Sequence, residues 1–458
     1  MLKQLIFIIT LLITLGVFSY TVLRLIAYFK LTKQNFPVKN LGERFNLMMQ
    51  VAFAQTKIFR RPVIGLLHAL VFWGFCVILI GSLEMVVDGI LGTERIFRGL
   101  GVVYDVIIGA GDIFALIIAL AIIVFLIRRI FLHVKRFGGI EMDHKKHMDA
   151  NIALTLILLL MVTLLGMNAF YYQHALGTGH ELHGAFPVSR FIGSWFASMS
   201  SQQLFIYHEA NWWAHILIIF IFANYLPYSK HFHVFLSVPN VFLSRLDPLG
   251  KLDTMENIKK EVQMMMDPNA SPEEQEEEEE AGRFGVMDVE DVSWKNYFDS
   301  LACTQCGRCT DVCPANITGK KLSPRKIIMD VRERMKEKGP GMIKQGKSYS
   351  DDKALLRDHI TEEELWACTT CNACAQECPI NINHPTLIVD MRRYLVMEEA
   401  AGPGDLNAIF SNIENNAAPW QFSPEDRMLW AEGLEVPLMA DKAARGEKPE
   451  YLFWVGSA

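Results

Sequence analysis

The sequence predicts an all-α protein, a five-helix transmembrane bundle followed by a mostly α-helical soluble domain. Three observations predict it: five apolar stretches within residues 1–240, a charge balance that changes sign near that point, and eight of nine cysteines in two identical patterns beyond it. Hydrophobic residues make up 51% of the 458 and charged residues only 21%. Those proportions exclude a disordered chain, a disulfide-stapled mini-domain and an ordinary soluble enzyme. Residues 1–240 hold 19 Lys and Arg against 11 Asp and Glu, a net of +8; the rest hold 25 against 39, a net of −14. A basic, apolar half joined to an acidic, polar half reads as a membrane anchor carrying a soluble domain.

The apolar stretches run over residues 5–29, 62–83, 106–127, 152–170 and 212–228. Each approaches the ~20 residues that a helix needs to cross hydrocarbon ~30 Å thick. The first is too long for a cleavable signal and is followed by Lys30 and Lys33 rather than a small-residue cleavage site. Orientation follows from the basic residues. Lys30, Lys33, Lys39, Arg44, Lys57, Arg60 and Arg61 separate spans one and two, and Arg128, Arg129, Lys135, Arg136, Lys145 and Lys146 separate spans three and four. The alternate loops hold only Arg95 and Arg98, then Arg190. The expected topology puts the N-terminus outside and the soluble half in the cytoplasm, with the chain multi-pass in the inner membrane. The expected domains are a membrane domain at 1–240, a self-repelling acidic linker at 241–284 with a glutamate run at 276–280, a cysteine domain at 285–400 and a C-terminal extension at 401–458.

Cys303, Cys306, Cys309 and Cys313-Pro314 form C-x2-C-x2-C-x3-C-P, and Cys368, Cys371, Cys374 and Cys378-Pro379 repeat the spacing. This is the ligand run of two [4Fe–4S] clusters, in which the fourth cysteine typically reaches the other cluster. The expected sets are therefore Cys303, Cys306, Cys309 and Cys378 on one cluster, and Cys368, Cys371, Cys374 and Cys313 on the second. Zinc takes paired C-x2-C units rather than four cysteines in one run, and a cytoplasmic side disfavours disulfides. Helical runs are expected near 324–338 and 352–367. The 54 residues between Cys313 and Cys368 exceed a compact bacterial ferredoxin. The domain resembles instead the mostly α-helical dicluster ferredoxin domain of succinate dehydrogenase iron–sulfur subunits and of heterodisulfide reductase C-type subunits. Cys76, alone in span two, reads as a small packing residue.

Histidines in a span are costly and each is a functional candidate. Span two holds His68; the fifth span and its extension hold His208, His215, His231 and His233. On one continuous helix His215 and His233, 18 apart, share a face with a rise of about 27 Å, and His231 points away. Such a pair suits a membrane protein that carries two haems b. The run His215-Ile216-Leu217 with Leu226-Pro227-Tyr228-Ser229-Lys230-His231-Phe232-His233 resembles the fifth span of the respiratory nitrate reductase gamma subunit. Leu67-His68-Ala69-Leu70-Val71-Phe72-Trp73-Gly74 resembles its second. The resemblance implies that His68 and His233 hold a haem b at the cytoplasmic end. It also implies a second span-two ligand ten residues on, where this chain has Ile78. Either the outer haem is absent or His215 takes another partner, for which His174, His180 and His183 are candidates. His208 shares His215's own face, which argues against it. A polar interhelical contact or a quinone contact is the competing reading of His215. His133, His144, His147 and His384 read as solvated loop residues, and Glu84 and Asp112 as proton relays for a quinone or as structural acids.

The whole resembles the C/E unit of heterodisulfide reductase-type membrane complexes, a family of membrane iron–sulfur oxidoreductases. The implied function is an electron-transfer subunit joining a cytoplasmic iron–sulfur or flavoprotein partner to the quinone pool. In the families it resembles, a protein with cysteine-rich CCG domains often supplies the catalytic cluster. This chain has no such domain, so the resemblance implies a partner of that kind, and the chain itself shows no G-x-G-x-x-G after a strand and no P-loop. The catalytic site is then expected in the partner. Membrane lipid is the other expected neighbour, and no nucleic acid is. The region of Trp420, Trp430 and Trp454 reads as a docking surface or as a packed C-terminal segment. A membrane-bound redox sensor, or an anchor subunit with ferredoxin-only electron transfer, is the competing class.

Overall fold

In the computed structural model residues 1–132, 134–266 and 283–456 are described, and their regular structure is helical. The glutamate run of the linker and His133 lie outside them. Among the described residues there is no strand, only two isolated bridges. Five helices are long and apolar enough to cross a membrane. They are α1 (Leu2–Leu31), α3 (Pro62–Leu91), α4 (Val102–Ile130), α5 (His144–Thr178) and α7 (Ser201–Tyr225), with α2 (Leu41–Met48) and α6 (Ser189–Ser194) between them.

Local chemistry sets the ends. Pro62 occupies the first turn of α3, where its missing N–H costs nothing, and Gly92 closes the helix in the left-handed region at φ 70°. Asp143 caps α5 by accepting from the Lys146 N–H at 2.8 Å, and Ser200 with Gln203 forms a capping box on α7. One core joins Ala115, Ile118 and Ile122 of α4 to Leu154, Met161 and Leu165 of α5. A second joins Phe7 of α1, Met85 of α3 and Trp212, Ile216 and Phe220 of α7. Close approach needs small residues there: a Cβ on Gly89 would lie 2.5 Å from the Phe7 ring. Cys76 is exposed on the outside of α3 rather than packed.

The fifth span does not run on to His233. Pro227 cannot supply the next helical N–H, so the chain makes a 3-10 turn over Leu226–Tyr228 and is extended at Ser229. A second 3-10 turn, Lys230–Phe232, leads into α8 (His233–Phe242). The constant 100° step breaks at this elbow, and the facing inferred for His231 and His233 from a continuous helix does not apply.

Beyond α9 (Glu256–Met266) come α10 (Trp294–Ala302), α11 (Arg308–Asp311), α12 (Pro314–Ile317), α13 (Pro324–Gln345), α14 (Glu362–Trp366), α15 (Ala373–Glu377) and α16 (His384–Arg393). The run expected over 352–367 is helical only in α14. Arg357 sits at φ 76° inside the Leu356–Ile360 bridge, and a Thr361–Glu364 capping box delays the helix start. Arg334, fully buried, grips Asp288 (2.9 and 2.7 Å) and Asp351 (2.7 Å twice), tying the entry turn to α13 and the following loop. Bundle and cysteine region form one compact unit, Met1–Ala281 with Val286–Met391. A second unit, Gly282–Gly285 with Arg392–Ala458, contains α17 (Gly404–Asn416) and α18 (Met439–Ala444). In it Trp420, Trp430 and Trp454 are exposed, and Trp430 meets Phe453 edge-on at 5.5 Å.

Candidate functional site

The two cysteine runs adopt the same loop. Gln305 and Gly307 flank Cys306 at φ 56° and 74°, and Thr370 and Asn372 flank Cys371 at 53° and 60°. Left-handed residues on either side of the middle cysteine curl each loop and turn its amides inward, the geometry of an anion-binding nest. The folded chain crosses the runs. Burial and the neighbouring Cys306 and Cys303 push the Cys378 thiol up to about 12. Cys374 is pushed to about 12 by burial and by Cys368, Cys313 and Cys371, and Cys313 is raised by burial with Cys368 and Cys371 near it. Cys378 thus stands with the first run and Cys313 with the second. Thiols facing one another, with Cys309 and Cys378 buried in one set and Cys374 and Cys313 in the other, are a poor set of free acids and a good set of ligands for a cationic cluster. No His, Cys, Asp or Glu group among the described residues converges on a single metal ion, a closer requirement than four thiolates spread round a cube of irons.

Basic residues of the bundle hold these loops. Lys57 Nζ donates to the Cys378 carbonyl at 3.2 Å, Arg60 to that of Gln376 at 2.7 Å, and Arg136 to that of Cys306 at 3.1 Å. Arg61 pairs with Asp311 at 2.7 Å. In return Arg308 donates to the Lys57 carbonyl at 2.9 Å, and Arg325 reaches Glu141 (2.6 Å) and the carbonyls of Arg136 (2.8 Å) and Gly138 (2.6 Å). Residues that mark topology in the sequence are therefore also the dock for the cysteine loops.

Beneath the first loop lies a cavity of about 490 Å³ inside the bundle. His68, His215, His231 and His233 line it, as do Thr304, Cys306 and Arg308 of the loop above. Its other walls are mostly apolar and include Phe72, Ile118 and Phe125, with Arg128, Arg129, Arg136 and Lys230 on one side. The His233 Nδ1 lies 3.2 Å from the Lys230 carbonyl, so Nδ1 carries the proton and Nε2 keeps its lone pair. Burial pushes His233 down to about 4 and, with His233 beside it, His231 to about 3, so both imidazoles are neutral at ordinary pH. Their rings are 5.6 Å apart. His68 Nδ1 and His231 Nδ1 are buried with no hydrogen-bond partner among the described residues. Orphaned imidazoles in an apolar cavity of this size fit a bis-histidine haem. His231 is the member that helical phase misses, because only the proline elbow turns it inward.

A second cavity, of about 580 Å³, lies toward the other end and has more polar walls than the first. His174, His180, His183 and His208 line it, and His215, shared with the first cavity, stands between the two. His215 is 2% exposed, and its Nδ1 lies 3.0 Å from both the Leu160 carbonyl and Thr163 Oγ1. His174 and His180 stack at 6.3 Å. The acids here are satisfied by structure. Asp112 accepts from the Val188 and Ser189 N–H groups at 2.8 and 2.9 Å, and Glu84 from the Phe97 N–H at 2.9 Å and Tyr104 Oη at 3.0 Å. Those bonds favour the structural reading of both. His384, expected in solvent, is 1% exposed at the start of α16.

Comparison with known proteins agrees on the iron–sulfur half. Residues 302–382 match the 4Fe-4S dicluster domain family. The chain is 29% identical over 96% of its length to the probable iron-sulfur-binding oxidoreductase FadF of Bacillus subtilis, covering 63% of that protein. It is 27% identical over 89% of its length to the EtfAB:quinone oxidoreductase of Syntrophomonas wolfei, covering 56%. Over 22% of the chain it is 35% identical to the C-type subunit of the ferredoxin/F(420)H(2)-dependent CoB-CoM heterodisulfide reductase of Methanosarcina acetivorans, with 48% of that protein covered. The chain thus spans about six-tenths of the first two relatives. No solved structure gives a significant match.

Proposed function

We propose that the chain is a membrane electron-transfer subunit that passes electrons between a cytoplasmic redox partner and the quinone pool, through two [4Fe–4S] clusters and haem b. The observation that carries this reading is the position of the first cysteine loop over the cavity lined by His68, His231 and His233. The clusters and haem supply one-electron chemistry when bound. The chain's own residues hold, orient and shield them. Cys303, Cys306, Cys309 and Cys378 hold the cluster over the cavity, and Cys368, Cys371, Cys374 and Cys313 the other. His68 with His233 holds the haem on the same side, and the neighbouring His231 is the alternative to His233. His215, with its Nε2 free, is kept for an outer haem or a quinone.

The exposed Cys371 makes the second cluster the port for the soluble partner. The similarity to an EtfAB:quinone oxidoreductase supports an EtfAB-type protein as that partner and a quinone as the other end; the similarity to a heterodisulfide reductase subunit supports another redox subunit of such a complex. The basic loops and the cysteine region lie at one end of the bundle, and the distribution of Lys and Arg supports a cytoplasmic position for that end.

The test is a pyridine haemochrome assay with iron and sulfide analysis on the purified chain, on His68→Ala and on His215→Ala, followed by quinol-dependent cluster reduction in membranes. Haem lost in His68→Ala and clusters reducible by quinol support the wire. About eight irons with no haem sinks the cytochrome reading and leaves a membrane-tethered ferredoxin.

A further inference from the structure

Three guanidinium groups crowd one ring at the mouth of the inner cavity. Those of Arg128, Arg129 and Arg136 lie 5.3, 4.9 and 5.0 Å from the centre of Phe137. All three line the cavity that holds His68 and His233, and Lys230 lines it too. None of the four forms a salt bridge among the described residues. Arg129 donates to the Asn151 side chain at 3.3 Å, and the Lys230 ammonium to the Gln305 side chain at 3.1 Å. Arg136 spends one nitrogen on the Cys306 carbonyl, and its Nε is buried with no partner. The neighbouring Asp149, engaged by the Lys230 backbone N–H and the Tyr225 hydroxyl, lends its one negative charge to Arg129 and Lys230 and leaves the four cations in excess.

Cation–π contact with Phe137 fixes where the guanidiniums sit but neutralises none of their charge. Four cations beside an apolar cavity are costly to keep there unless an anion joins them. The cavity itself asks for an apolar, planar ligand between histidines. One ligand that satisfies both demands has a flat apolar body and carboxylates on one edge.

We propose that Arg128, Arg129 and Arg136, with Lys230, form an anion site that receives the two carboxylate side chains of the haem and sets which edge of the macrocycle faces the cysteine domain. This rests on the haem reading above. Arg325 of α13, bonded to the Arg136 and Gly138 carbonyls, pins the loop that carries the site. Docking of the cysteine domain and seating of the haem edge are therefore one event.

The experiment strips the full-length membrane protein of haem and rebinds either haem b or its dimethyl ester, in wild type, in Arg128→Gln with Arg129→Gln, and in His68→Ala. Bound iron and sulfide report that the cysteine domain stays folded, and co-purifying anionic phospholipid is measured by mass spectrometry. Arg128, with no hydrogen bond to the protein among the described residues, makes the single variant Arg128→Gln a second and milder probe. Wild type should prefer the free acid over the ester about tenfold or more, the scale of one charge-assisted hydrogen bond. The double variant should lose that preference and keep its clusters. An unchanged preference in the double variant overturns the carboxylate site. So does loss of anionic phospholipid with unchanged haem discrimination, which makes the arginines a lipid headgroup site. A wild type that binds neither compound fails the haem reading itself, and the separate His68→Ala result tells the two failures apart.

Discussion

The two cysteine loops share a spacing and a backbone conformation but sit in different surroundings. The first, residues 303–309, is wedged against the end of the bundle over its cavity; the second, 368–374, opens to solvent. Position for position, Gly307 answers to Asn372, both left-handed. A Cβ on Gly307 would lie 2.2 Å from the Arg136 carbonyl oxygen, so glycine alone fits. Asn372 has room for a side chain, which donates to the Thr370 carbonyl at 2.9 Å. Spacing thus specifies what a loop binds, and packing specifies which of two equal loops meets the helical bundle.

The largest expected effect breaks the crossing of the loops. Cys378→Ser should remove the cluster of the first loop, and Cys313→Ser that of the second, each taking about four of about eight irons. Iron analysis with paramagnetic resonance of the remaining cluster checks this; a Cys378→Ser protein that keeps the first loop's signal would mean each loop closes on itself. Next in size is the glycine. Asn372→Ala should cost about 1 kcal/mol, the ordinary penalty of a left-handed alanine. Gly307→Ala should cost several times more, because the Arg136 backbone must move. Thermal unfolding followed by cluster absorbance measures both, and equal losses would erase the distinction between the loops.

Access sharpens the comparison further. A hydrophilic chelator should draw iron in two phases, the fast one belonging to the loop with the exposed Cys371. Cys313→Ser should abolish the fast phase and leave the slow one. The smallest effect concerns acid. Hydrogen bonding to Arg334 holds the Asp351 carboxyl down to about 2, below its ordinary 3.8. The stabilisation is complete above the ordinary value and is lost as pH falls from about 4 toward 2. The thermal advantage of wild type over Asp351→Asn should narrow across that window; an advantage that does not change with pH would show that the ion pair is not its source.

How much is legible depends on the range of the signal. Hydropathy locates five spans, because hydrocarbon thickness fixes a local length, although α3, α5 and α7 extend 8 residues or more past the apolar runs on at least one side. Eight cysteines declare a dicluster domain through spacing alone. His68 and His233 stand out through resemblance, and the fold brings both to one cavity. Their relation in the sequence assumes a straight helix that Pro227 breaks, and His231 is lost with it. His384 looks like a loop residue because nothing near it in sequence shows what buries it.

By itself, the sequence determined the helical architecture, the membrane half and the iron–sulfur chemistry, since each rests on patterns written within a few tens of residues. Tertiary structure alone decided which loop lies over the histidines, that basic loop residues clasp the carbonyls of Cys306 and Cys378, and that three arginines meet round Phe137. Those are long-range facts. They depend on which buried donors and charges find partners from distant segments, and no local spacing records that.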